Sequence, residues 1–278
     1  MTSVLNKHLL PVYDKPMIYY PLSILMIAEI RDILIISSPE DLPLFESLLG
    51  DGKKFGIKLT YAIQHAPEGL AQAFIIGKDF IGKEEVAMIL GDNIFFGNGM
   101  RDKLRTAIQN IKRGKATIFG YHVPNPERFG VIEFDKDGKV VSLEEKPKQP
   151  KSHYAAAGLY FYDNRVIEFA QKVKPSWRNE LEITDVNKMY LEAGDLEAIP
   201  LGRGFTWKDA GTPESLAEAS AFIRMIENHQ GLKIACLEEV AFLNGWVERE
   251  ELERTSESYG NSDYGKYIKK ILQEGILY

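Results

Sequence analysis

Cysteine is nearly missing from this chain: its 278 residues include one, Cys236. A single thiol cannot build an internal disulfide framework or a cysteine-rich metal site. It lies in the apolar run 232–237 (LKIACL), where a free cysteine reads as a small buried hydrophobe. Long hydrophobic runs are missing too. The longest candidate, residues 17–30, is interrupted by Tyr, Pro, Ser and Glu, so no stretch reaches membrane-spanning length. No segment has the layout of a secretory signal, and a soluble cytoplasmic protein is expected. Positive charge is in deficit: the formal net charge is −6, and lysines and arginines are scattered among acids. That distribution argues against nucleic-acid binding, which needs a clustered basic face. The five histidines (His8, His65, His122, His153, His229) lack metal-ligand spacing, and no nucleophile–base pair for acyl transfer stands out. Internal repeats and low-complexity segments are absent as well.

What is present is the composition of an ordinary soluble globular protein, 45% apolar and 27% charged. A chain of this length lies near the upper limit for one hydrophobic core, so one domain with an appended piece is expected. Residues 1–230 read as the core and residues 231–278 as a C-terminal helical segment. Strand-like runs at 32–37 (DILIIS), 58–64 (KLTYAIQ), 86–90 (VAMIL) and 116–123 alternate with helical spacing at 42–49, 69–81 and 100–112. Such alternation predicts an α/β fold whose mostly parallel sheet is covered on both faces. The pattern then changes. Residues 130–134 and 140–145, joined by 135–139 with an Asp-Gly turn, predict an antiparallel hairpin. A strand at 155–162, a helix at 182–193 and a strand at 205–209 follow. A long helix over 212–228 is predicted next, with Thr212 as N-cap and Pro213 at its first position.

In open α/β sheets, ligands bind beyond the carboxyl ends of the strands. Three loops of that kind carry polar residues: 64–69 (QHAPEG), 91–93 (GDN) and 207–212 (WKDAGT). The second is the most pointed, because 86–97 (VAMILGDNIFFG) is built like a buried strand and yet is interrupted by an acid. A buried carboxylate is costly unless a positive partner meets it. Asp92 and Asp209 each follow an apolar strand beside a glycine, and two such carboxylates suit a magnesium ion shared with phosphates and water. The plainer reading is that each Asp caps the turn or helix after it. Lys7 and Lys146 are compact charges suited to phosphate, although most lysines are merely solvated. Glu145 has the same plain alternative, a surface strand residue. The glycines at 50, 52 and 56 follow a helix rather than a strand and read as a helix stop and turn.

Seven segments, taken in order, resemble the sugar nucleotidyltransferases, and among them the glucose-1-phosphate thymidylyltransferases. They are 7–22 (KHLLPVYDKPMIYYPL), 69–73 (GLAQA), 90–93 (LGDN), 126–134 (PERFGVIEF), 143–147 (LEEKP), 180–187 (ELEITDVN) and 207–212 (WKDAGT). The resemblance implies a Rossmann-like nucleotidyltransferase core with an inserted sugar-binding β-region and C-terminal helices. It implies transfer of the thymidylyl group of dTTP to α-D-glucose 1-phosphate, releasing pyrophosphate, with no covalent enzyme intermediate. By matching motif, Asp92 and Asp209 would hold Mg²⁺, Lys7 would face the triphosphate and Lys146 the sugar phosphate, aided by Arg178. Gln64 and Gly69 would read the base, with Leu70 packing nearby. Gly130, Glu145, Gly158 and Trp207 would line the sugar site. A homotetramer, built as a dimer of dimers, is also implied.

The family opens with a strand and a loop of the form G-G-x-G-T-R-L, followed by P-x-x-T. Thr2 stands at that threonine, five residues before Lys7. The expectation is that the sequence at hand omits a preceding segment with the first strand, the glycines and the loop arginine. The alternative is a catalytically silent nucleotide-sugar-binding or regulatory homologue that lacks the glycine loop. His8, Lys208 and Ala210 are smaller departures, standing where the family more often has glutamine, leucine and threonine.

Overall fold

The computed structural model describes residues 6–275; Met1–Leu5, which include Thr2, and residues 276–278 lie outside the described residues. A short hairpin of β1 (Pro11–Val12) and β2 (Lys15–Pro16) leads into α1 (Tyr19–Ile27). Then come β3 (Asp32–Ser37), α2 (Leu42–Leu49), β4 (Lys58–Ile63), α3 (Gln72–Ile76), α4 (Lys78–Ile81) and β5 (Val86–Ile89). The next stretch holds β6 (Asn93–Gly97), α5 (Met100–Ile111), β7 (Ala116–His122), β8 (Gly130–Phe134), β9 (Val140–Glu145) and β10 (Tyr154–Tyr162). After α6 (Arg165–Lys172) and α7 (Ile183–Glu192) come β11 (Leu196–Leu201), β12 (Phe205–Asp209) and the long α8 (Pro213–Gln230). Three helices close the chain: α9 (Leu237–Leu243), α10 (Arg249–Ser258) and α11 (Asp263–Glu274).

Local chemistry accounts for most boundaries. The Thr212 hydroxyl accepts from the Ser215 N–H and Ser215 bonds back, a reciprocal cap with Pro213 inside the first turn of α8. The Asp135 carboxylate accepts from the N–H groups of Asp137 and Lys139, closing the expected β8–β9 turn. Gly50 ends α2 at a positive φ of 62°, as its sequence position suggests. The helical stretch predicted over 69–81 is shorter and divided. Gly69 takes φ +108°, outside helical space, so α3 starts at Gln72. The chain then breaks at Gly77, where an added Cβ would lie 3.1 Å from the Leu34 side chain.

β10 is the hub of the largest sheet, whose order is β11-β7-β10-β8-β9 with β5 also on β10. β11 and β7 run parallel, as do β3 and β4; β10 runs antiparallel to β5, β7 and β8. β6 and β12 form a separate antiparallel pair. Among the described residues, β3 pairs only with β4 and β5 only with β10. β3 and β5, with α1, α3 and α4, line one apolar cleft of about 280 Å³ that includes Leu22, Ile35, Phe74 and Ala87.

The C-terminal helices share a core with the first half of the chain. Cys236, Leu237, Ala241, Leu252 and Ile268 pack with Leu22, Met26, Phe45 and Phe55. The aromatic side chains of Tyr20, Tyr160, Phe161 and Tyr162 are also buried. Among the described residues no helix is long and apolar enough to cross a membrane.

Candidate active site

β5 ends at Ile89, and the chain turns through Leu90, Gly91 and Asp92 before β6 begins at Asn93. The β6–β12 register pairs Asn93 with Asp209 and Phe95 with Trp207. That register carries Asp92 to Asp209: the Ala210 N–H donates to the Asp92 carbonyl at 2.9 Å. A Cβ added at Gly211 would lie 2.9 Å from Asp209 Oδ1 and 3.6 Å from Asp92 Oδ2. Both carboxylates therefore border one small space, and Gly211 keeps it open.

Lys7 supplies the positive partner, its Nζ 2.5 Å from Asp92 Oδ2. The Asn93 amide donates to the other oxygen, Oδ1, at 2.9 Å. Burial alone would push the Asp92 carboxyl up, but the Lys7 ammonium and its hydrogen bond outweigh it, and Asp92 ends below its ordinary value. Asp209 goes the other way, raised by burial and then by the charge of Asp92. The imidazole of His8 lies against Gly91, where a Cβ would meet its Cδ2 at 3.0 Å. Burial holds that ring neutral, lowering its pKa to about 4 against the pull of Asp92. Two oxygen ligands with unlike proton affinities, in a partly buried setting, suit a hard cation that keeps room for phosphate and water. Among the described residues no group of three or more His, Cys, Asp or Glu forms a metal cage.

Asn93 is the junction that sequence reasoning passed over, although it lies within the LGDN motif. It is 2% exposed, and its side-chain oxygen accepts from Trp207 Nε1 at 2.6 Å and from the Gly158 N–H at 3.0 Å. Gly158 has no room for a side chain, because a Cβ would lie 2.5 Å from that oxygen. One amide thus ties Trp207 and Gly158 to Asp92.

The second group sits on β8, β9 and α7. Gly130 pairs with Glu145, and a Cβ on Gly130 would lie 3.3 Å from Glu145 Oε2. Burial raises the Glu145 carboxyl, and the Thr184 hydroxyl bonded to it opposes that shift. Lys146 is exposed and left-handed, at φ 42°, with its N–H on the Phe129 carbonyl. Arg178 is turned toward its own loop, bonded to Glu180 and to the buried Glu182, whose Oε1 lies 3.1 Å from Nε. Tyr160 is buried, and its hydroxyl is raised by burial and then by the charges of Glu145 and Asp92.

The 64–69 loop joins the second group through backbone. The Leu181 N–H donates to the Glu68 carbonyl at 2.7 Å, and the Ala71 N–H to the Leu181 carbonyl at 3.1 Å. A Cβ on Gly69 would sit 2.4 Å from the Leu181 nitrogen, so only glycine fits this crossing. Gln64 ends β4's run with its amide on Gln72, and Leu70 is exposed. The structure thus links Gln64–Leu70 to the Arg178 loop, rather than to Asp92 directly.

A protein-family model described as nucleotidyl transferase matches residues 1–225. The chain belongs to the nucleotidyl transferase family. Within that family, a glucose-1-phosphate thymidylyltransferase of Neisseria meningitidis is 55% identical over 99% of this chain and 94% of its own. One from Xanthomonas campestris is 53% identical over 100% of this chain and 94% of its own. A Bacillus anthracis protein assigned the same activity, solved with sucrose, superposes with a TM-score of 0.74 at 42% identity. That match covers 80% of this chain and 88% of the other. The α/β class expected from the strand–helix alternation, and the nucleotidyltransferase-type core that the resemblance implies, are those of this family.

Proposed function

We propose that this chain transfers the thymidylyl group of dTTP to α-D-glucose 1-phosphate. A phosphate oxygen of the sugar phosphate attacks the α-phosphorus of dTTP; that P–O bond forms as the α–β bond breaks, and pyrophosphate leaves. The observation that carries the reading is the convergence of Asp92, Asp209 and Lys7 on one space in a chain over half identical to named thymidylyltransferases. Such a reaction needs little covalent chemistry from the protein, since positioning and charge neutralisation lower the barrier.

In this reading Asp92 and Asp209 hold Mg²⁺, which supplies charge neutralisation at the α-phosphate when bound. Lys7, now paired with Asp92, exchanges that partner for the triphosphate. Lys146 meets the phosphate of the sugar substrate, and Arg178 supports it from the neighbouring loop. Gln64 and the backbone of Gly69 contact the base, with Leu70 packing beside it. Gly130, Glu145, Gly158 and Trp207 line the sugar pocket, where the two glycines let the substrate approach the backbone. A homotetramer arranged as a dimer of dimers and a cytoplasmic location complete the proposal. A silent binding homologue is less favoured, because the relatives named for the transfer reaction match nearly the whole chain.

The test is pyrophosphate release from dTTP and glucose 1-phosphate with and without Mg²⁺. Activity is expected only with the cation, and Asp209→Asn is expected to lose on the order of a hundredfold in kcat. Binding of both substrates without pyrophosphate release at any cation concentration would sink the proposal.

A further inference from the structure

We propose that His122 and His153 form a second metal site, for a transition metal of the zinc class, at the end of the β7–β10 ladder. In sequence the five histidines have no metal-ligand spacing; strand pairing brings two of them together. His122 is the last residue of β7, and its register partner is Tyr154, the first residue of β10. His153 directly precedes Tyr154. The two exposed imidazoles have centroids 5.3 Å apart and planes 21° from parallel.

That separation fits chelation. With zinc–nitrogen bonds of about 2.0–2.1 Å, two imidazoles on one tetrahedral ion have ring centroids roughly 5 Å apart. His153 also holds the tautomer such a site needs. Its Nδ1 lies 3.1 Å from the Val123 carbonyl, which can only accept, so Nδ1 carries the proton. In the neutral ring Nε2 then keeps its lone pair for a metal, the arrangement in which metal-bound histidines are commonly oriented by a carbonyl. The Val123 N–H donates back to the His153 carbonyl at 2.9 Å, which fixes this pairing at both ends. His122 is braced by the Tyr154 ring, perpendicular to it at 5.7 Å. Among the described residues the His122 ring nitrogens have no hydrogen-bond partner, so both are open to a ligand. Imidazole suits zinc, copper or nickel rather than magnesium, so the pair does not compete for the cation proposed at Asp92 and Asp209. Among the described residues no third His, Cys, Asp or Glu completes the set, and water fills the other positions. With half the protein ligands of a structural zinc site, a Kd on the order of 10 µM is expected.

The test is calorimetric titration of the untagged full chain with Zn²⁺, with millimolar Mg²⁺ present to occupy the acid pair. Wild type should bind one equivalent, and about 100 µM Zn²⁺ should raise Tm by about 3 °C. His122→Ala and His153→Ala should each weaken binding by about tenfold or more and remove the Tm rise. His65→Ala and His229→Ala should change neither. If His153→Ala lowers Tm without zinc, His122→Ala carries the comparison, since its ring has no hydrogen bond to lose. No binding by wild type, undiminished binding by His122→Ala, or loss of binding on replacing His65 or His229 instead would overturn the proposal.

Discussion

Asp92 and Asp209 border the same space but face opposite electrostatics. Asp92 is stabilised as an anion by Lys7, so its stabilising contribution is complete above the ordinary carboxylate value and fades as pH falls through its lowered pKa. Asp209 is raised by burial and by Asp92, so its charge opposes folding at neutral pH and is relieved as pH falls through its raised value. Removing the two charges should therefore have opposite effects in the absence of cations. At pH 7, Asp209→Asn should unfold at a higher temperature than wild type, by on the order of 2 °C, and Asp92→Asn at a lower one. The Asp209→Asn gain should vanish as the pH drops below the raised Asp209 value. Calorimetry with a chelator, from neutral to acid pH, checks both signs.

At the level of elements, the sequence spelled out local features and the local β8–β9 hairpin, and was silent on the long-range pairings. Thr212, Pro213 and Ser215 lie within four residues of one another, and their cap is formed as the sequence suggests. Thr212→Ala should cost about 1 kcal/mol, seen as a Tm lower by roughly 2–4 °C, with KM for both substrates little changed. A larger loss, or a shift in KM, would show that the cap also shapes the neighbouring Asp209 turn. The break at Gly77 was less legible. Helical spacing runs through it, and the glycine's reason lies in close neighbours, the Ala73 carbonyl at 3.0 Å and Leu34 of β3 at 3.1 Å from an added Cβ. The β6–β12 register was not legible at all, because strand pairing depends on residues more than a hundred positions apart.

For the molecule as a whole, α9–α11 are fastened by acids buried beneath tyrosines. Glu238 is 1% exposed and accepts from the hydroxyls of Tyr259 at 2.7 Å and Tyr264 at 2.6 Å. Tyr267 donates to Glu239 at 2.8 Å. Glu238→Leu should leave two half-buried hydroxyls without their partner and destabilise the protein by about 2–4 kcal/mol in urea unfolding. Limited proteolysis should then cut first between α9 and α10, near residues 244–248. Unchanged stability would mean that apolar packing alone holds these helices. What the sequence determined by itself were things set by neighbours along the chain: the α/β alternation, the caps and turns, the single buried thiol, and acids placed just past apolar strands. Tertiary structure alone decided which of those groups meet. It joined Asp92 to Asp209 through strand register, gathered Trp207 and Gly158 onto the Asn93 side chain, and turned Arg178 onto its own loop's acids. The reason is physical: cap and turn preferences act over a few residues. Whether a buried carboxylate meets a cation, an amide or another acid depends on the packing of strands and helices far apart in sequence.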